Sequence, residues 1–234
     1  MEPARTRHKL LTPPPQRGFT LVEMLVVLAI IVIITGIALV GQSTFNRSLI
    51  LTDTAYTVAL SIRESQSLGL SSRKVQSTLI QNAGYGVYFT PGQSYVQYAD
   101  IYPTKPGDGL LGKCAGHTNL TGPESRPGNC KYDSGQDTII KTYRFDRGFT
   151  VSRFCGESEG GVDYCSSGGD GVITGLSIVF LRPNTESSII GIRSGGEVEL
   201  IDAEIFIQSA DGQASRAVCV SKVGQVAVAS STCP

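Results

Sequence analysis

The stretch Arg17-Gly18-Phe19-Thr20-Leu21-Val22-Glu23-Met24, continued by the apolar run to Val40, decides how the rest of the chain is read. From Leu21 to Val40 the only residues that are not apolar are Glu23, Thr35 and Gly36. Twenty helical residues span about 30 Å, the thickness of a bilayer's hydrocarbon. The run is therefore a membrane-helix candidate and not a core helix. Glu23 stands just inside its apolar end, where a carboxylate costs a few kcal/mol unless a cation meets it.

Outward from this run, the N-terminal flank is basic. Residues 1–18 hold Arg5, Arg7, Lys9 and Arg17 against Glu2, which favours retention of that end in the cytoplasm. The whole 234-residue chain has zero net charge, and loss of the flank would leave about −3. Such a balance gives no general reason to bind nucleic acid. Pro13-Pro14-Pro15 keeps the flank extended, as suits a protease groove.

The helix is expected to continue to about Leu70, with Gly69 and Ser71-Ser72 as its stop. At 1.5 Å per residue its length would be about 75–80 Å. Beyond the membrane run, Phe45, Leu49, Tyr56, Ala59 and Leu60 recur at helical spacings and predict the stripe that packs on a globular head. No proline interrupts the helix, and Gly36 and Gly41 loosen it without forcing a kink.

After the helix the period shifts to strands. Runs are expected at Val75–Ile80, Gly84–Thr90, Ser94–Ile101, Thr138–Asp146, Phe149–Cys155, Leu176–Arg182, Ser188–Ile192 and Glu197–Gln208. A last hairpin pairs Ala217–Lys222 with Gln225–Ala229 across Val223-Gly224. Two long loops, 102–137 and 156–171, interrupt them; loops of that length in a compact domain are usually functional or stapled. The fold class expected is α+β. The boundaries are 1–18 for the leader, 19–41 for the membrane half of the helix, 42–72 for its head half and 73–234 for the β-rich head.

All six cysteines follow residue 113, which implies an oxidising compartment for the head. Six cysteines allow fifteen pairings. Proximity in sequence suggests Cys114 with Cys130, Cys155 with Cys165, and Cys219 with Cys233. A zinc site would need closely spaced cysteines or paired histidines, and the chain has only His8 and His117. Glu159, Asp163 and Asp170 are acidic but lack calcium-loop spacing. No nucleophile–base constellation, phosphate loop or dinucleotide fingerprint is found, so neither an enzymatic activity nor a cofactor is expected.

Gly18-Phe19-Thr20-Leu21-Val22-Glu23 before about twenty apolar residues resembles the class III signal of type IV pilins and type II secretion pseudopilins. The resemblance implies cleavage after Gly18 by a prepilin peptidase, N-methylation of Phe19, and pairing of Glu23 with the freed amine of a neighbouring subunit during assembly. It implies a pilin-like fold, anchorage in a bacterial inner membrane with the N-terminus cytoplasmic, and later a periplasmic or surface filament. The partners implied are other pilin subunits, the peptidase, the assembly platform and, before assembly, lipid.

Tyr85–Phe89, Tyr95–Asp100, Ser177–Pro183 and Val218–Val226 are similar in type and order to minor pseudopilins of the GspH/FimT kind. Alternatives are a major shaft subunit, or a pilus-borne adhesin or DNA-uptake subunit. Some FimT-like pilins bind DNA near the C-terminal hairpin. Here Arg216 and Lys222 are the cations available, with Gln225 where an arginine would fit, and two isolated cations give little phosphate affinity.

Overall fold

The computed structural model describes residues 18–71, 75, 83–102, 128–182 and 185–233, with residues 40–45 by their backbone. The expected leader, most of the Val75–Ile80 run, His8, His117 and Cys114 lie outside these residues. The chain divides into two compact units, Met1–Phe45 and Asn46–Pro234.

One helix, α1 (Leu21–Leu70), contributes to both. Its part in the first unit is predominantly apolar. Leu21–Leu39 is long and apolar enough to cross a membrane, and none of it is buried. The Thr35 hydroxyl donates to the Ile31 carbonyl, so the one hydroxyl within that span is satisfied by the helix itself.

The second unit places α1 residues 46–70 against two six-stranded sheets. The strands in chain order are β1 (Gly84–Phe89), β2 (Ser94–Asp100), β3 (Thr138–Arg144), β4 (Thr150–Glu157), β5 (Asp163–Cys165), β6 (Gly171–Val172), β7 (Gly175–Phe180), β8 (Ser187–Arg193), β9 (Gly196–Leu200), β10 (Asp202–Gln208), β11 (Ser215–Ser221) and β12 (Val226–Ala229). The first sheet runs β3-β2-β1-β7-β8-β9 and is antiparallel throughout. The second runs β12-β11-β10-β4-β5-β6, with β5–β6 its parallel pair. The architecture is the α+β, pilin-like one expected, with an apolar N-terminal helix and antiparallel-rich sheets in a globular head.

Two strand expectations need correction. Glu197–Gln208 is not one strand: the chain leaves the first sheet after Leu200 and enters the second at Asp202. The Ile201 N–H bonds the Glu157 carbonyl and its carbonyl receives the Lys222 N–H, which anchors the crossing. A continuous apolar–polar alternation does not reveal such a switch, because both halves obey the same period. The loop 156–171 is not wholly irregular either. Asp163–Cys165 adds a short strand to β4, with Cys155 opposite Cys165 in the ladder.

The helix stripe is also corrected. Of the expected residues only Ala59 is buried; Leu49, Tyr56 and Leu60 are exposed, and Phe45 falls outside the described side chains. The buried face is instead Leu51, Ala55, Val58, Ala59, Ile62 and Ser65, ending at Gly69. Both stripes have helical spacing, and size decides between them. A Cβ on Gly69 would come within 2.2 Å of the Phe180 carbonyl oxygen, so the helix can approach β7 only through small residues. Ser65 makes the close contact polar: its hydroxyl donates to the Ser61 carbonyl and accepts from the buried Gln97 amide at 3.1 Å. One apolar cluster joins this face to Val87, Phe89 and Ile178 of the first sheet and to Phe154, Ile205 and Val218 of the second.

Candidate functional site

The first candidate site is the entry to α1. Gly18, Phe19 and Thr20 precede the helix, and Leu21 begins it. Thr20 is its N-cap: the Glu23 N–H donates to the Thr20 hydroxyl at 3.2 Å, and the Met24 N–H to the Thr20 carbonyl. Glu23 therefore occupies the third helical position, where a carboxylate also meets the positive end of the helix dipole. The Thr-x-x-Glu spacing was a visible capping signal that the membrane reading overlooked. Gly18 has open space where a Cβ would stand, and Phe19 is 78% exposed. The Gly18–Phe19 bond is thus accessible, and Glu23 lies one helical turn past the amine that a cut there would free.

The other expected site residues lie in the head. Cys155–Cys165 and Cys219–Cys233 are disulfides, and Cys130 is also disulfide-bonded. Arg216 is near the start of β11 and Lys222 immediately follows its end, about 20 Å apart at 3.3 Å per residue. The Arg216 guanidinium bonds the Ser215 carbonyl and the Ser48 hydroxyl, and Lys222 lies 3.6 Å from the Glu199 carboxylate. The two cations do not form one patch. Gly224 between β11 and β12 has φ of +83°, and a Cβ there would meet the Thr185 carbonyl at 2.5 Å, so the hairpin turn requires glycine. Glu159, Asp163 and Asp170 do not converge, and no group of three or more potential metal ligands exists among the described residues.

An arrangement that sequence inspection missed lies under the Cys130 segment. The buried Asp100 carboxylate accepts the N–H groups of Asn129 (3.0 Å) and Cys130 (2.6 Å). Asp137 reciprocates, accepting the N–H groups of Ile101 (2.9 Å), Tyr102 (3.1 Å) and Asp133 (2.7 Å). Two aspartates thereby clip residues 100–102 to 128–137, on either side of the long loop. Gly128, at φ +112°, lets the backbone pass the carboxyl, since a Cβ would stand 2.6 Å from Asp100 Cγ. Burial pushes the Asp100 carboxyl well above the usual range, and Asp137 beside it adds to the shift. Burial likewise pushes Asp137 up to about 6. Every carboxylate oxygen of the pair accepts at least one backbone N–H, so the clip is a structural device. Its signal was present in Asp100 and Asp137 at the two ends of the loop, but nothing in a sequence shows which acids are buried.

A cavity of about 340 Å³ opens between α1 and the β3–β4 turn, lined among others by Asp53, Thr57, Tyr143, Arg144, Asp146 and Arg147. Its two acids and two arginines balance, and no nucleophile–base pair lines it. Nothing in its chemistry selects a substrate.

Residues 14–39 match the family model of the prokaryotic N-terminal methylation motif. The match covers the accessible Gly18–Phe19 bond, the capped helix start and the exposed apolar span, and ends before the head. No curated protein and no solved structure matches the chain. The N-terminal helix is that of a type IV pilin-like prepilin signal.

Proposed function

We propose that the chain is a structural subunit of a type IV pilus or type II secretion-like filament, a minor pilin or pseudopilin of the GspH/FimT kind. The observation that carries this reading is the methylation motif laid on an exposed apolar helix whose first turn holds one acid. Cleavage after Gly18 creates a cation at Phe19, and assembly brings Glu23 of one copy to that amine of its neighbour. A buried pair of this kind favours register more than net stability. Before assembly Leu21–Leu39 is solvated by lipid in the inner membrane. In the filament the same side chains meet other helices. Leu49, Tyr56 and Leu60 lie outside the head's own core, which leaves apolar helix surface for a neighbouring copy and supports the same reading.

The test is the mass of the N-terminal peptide of the mature protein, with and without co-expressed prepilin peptidase. A peptide beginning at Phe19, methylated, is expected only when the peptidase is present. An uncut N-terminus, or a cut beyond Val40, would overturn the reading. Glu23→Gln is expected to be processed normally yet to enter sheared filaments at a tenth or less of the parent level.

A further inference from the structure

Asp100 is 2% exposed and Asp137 8%, and they stand beside each other: Asp137 accepts the N–H of Ile101, the residue next to Asp100. Backbone N–H groups satisfy both as acceptors, but no cation does. Among the described residues neither carboxylate forms an ion pair. The groups packed around them do not supply the missing charge. From the clipped segment, Asp133 gives its N–H to Asp137 and its carboxylate to the Asn129 amide. Lys131 is engaged elsewhere, its Nζ 2.8 Å from Glu197 on β9 and 3.4 Å from Asp133. β2 contributes Tyr98, whose hydroxyl is fully buried and makes no hydrogen bond of normal geometry among the described residues. Tyr102, just past β2, gives Asp137 its N–H. β1 places Gly84 opposite Asp100 and packs Tyr88 on Tyr132, and β7 offers the neutral Ser177 hydroxyl to the Tyr132 N–H. Two buried carboxyls with a third beside them and no facing cation are costly as two anions, and a bound proton relieves that cost.

The clipped segment is also a cover. Cys130 and Tyr132 lie over Tyr98, Val179 and Ile190, an apolar cluster separate from the one that packs on the helix. Opening the segment would solvate the two carboxyls and return them to about 3.8, whereas with it closed burial holds both higher, Asp137 at about 6. The closed segment therefore binds protons more tightly than the open one. By linkage, closure is fully supported below about pH 4 and loses that support as pH rises through about 6, with Asp100 continuing the loss above. A difference of about two pH units at Asp137 corresponds to about a hundredfold change in the opening equilibrium.

We propose that Asp100 and Asp137 form a proton-operated latch: a proton held by the pair keeps residues 129–133 closed on the first sheet, and its loss lets them open and uncover Tyr98, Val179 and Ile190. The latch is independent of the reading of the chain as a filament subunit. Its test is amide hydrogen exchange of the full chain in detergent micelles from pH 4 to pH 7, corrected for the intrinsic rate. Protection of the Asn129, Cys130 and Asp133 amides is expected to fall about a hundredfold over that range and to end at least tenfold below that of Ile205 in β10. Asp137→Asn cuts the fall to tenfold or less. Glu197→Gln, which removes the charge that holds Lys131, lowers protection of the segment at every pH and leaves the fall unchanged. Protection that stays constant or rises with pH would overturn the latch. So would equal protection of the segment and Ile205 throughout, since the segment would then open only when the whole head unfolds. The profile of the unsubstituted chain decides both points, whether or not Asp137→Asn folds.

Discussion

Replacing Ile62 and Leu60 separately by alanine tests which face of α1 the head uses. They are two positions apart on one helix, and similar in size and hydrophobicity. Ile62 is fully buried in the cluster joining helix and both sheets, whereas Leu60 is 61% exposed. Ile62→Ala removes three carbons, about 2.4 kcal/mol at 0.8 per buried carbon, and the cavity left behind adds to it, for a total of roughly 3–4 kcal/mol. Leu60→Ala removes largely solvated surface from a helix in which alanine is the better former, so about 0.5 kcal/mol or less is expected. Urea unfolding of the full chain in micelles, followed by tyrosine fluorescence, measures both from the shift in midpoint at constant slope. If Leu60→Ala costs as much as Ile62→Ala, the stripe containing Leu49, Tyr56 and Leu60 is the packed one and the helix face assigned here is wrong. If the assignment holds, Leu60→Ala and Tyr56→Ala together should leave the monomer stable yet reduce incorporation into filaments.

Further predictions concern the loop clip and the staples. Asp100→Ala leaves the Asn129 and Cys130 N–H groups buried without an acceptor, at about 1–3 kcal/mol each, so a loss of roughly 2–6 kcal/mol is expected. A loss under 0.5 kcal/mol in urea titration would show that the clip does not hold the loop. The folded pKa values of Asp100 and Asp137 lie above the unfolded value of 3.8, so the head takes up protons on folding. Their contribution to stability is greatest below about pH 4 and falls as pH rises through about 6, where Asp137 titrates. Carbon-13 carboxyl shifts of Asp137 that titrate with a midpoint near 4 would contradict this. Cys219→Ser with Cys233→Ser opens a loop of 14 residues and should cost about 3 kcal/mol on the chain-entropy scale, read as a fall in the urea midpoint. An unchanged midpoint would mean that β11 and β12 hold the tail unaided.

The sequence by itself determined the long apolar helix, the N-terminal methylation motif and the class of the head. Each is a local property. Length and apolarity define a helix able to cross a membrane without reference to neighbours, and Arg17–Glu23 is contiguous. The strand runs were legible because a pleated strand with one buried face imposes a period of two along its own residues. Tertiary structure decided what depends on the partner across a contact. Two helix stripes had equal spacing, and only the approach of Phe180 to Gly69 selected the one with small residues. The run from Glu197 to Gln208 changed sheet at Ile201, because pairing partners, and not the alternation, assign a strand to a sheet. Asp100 and Asp137 became a clip only when folding brought residues 101 and 137 together. Which strands bound each sheet follows from strand order, a relation among segments distant in the chain that no single segment records.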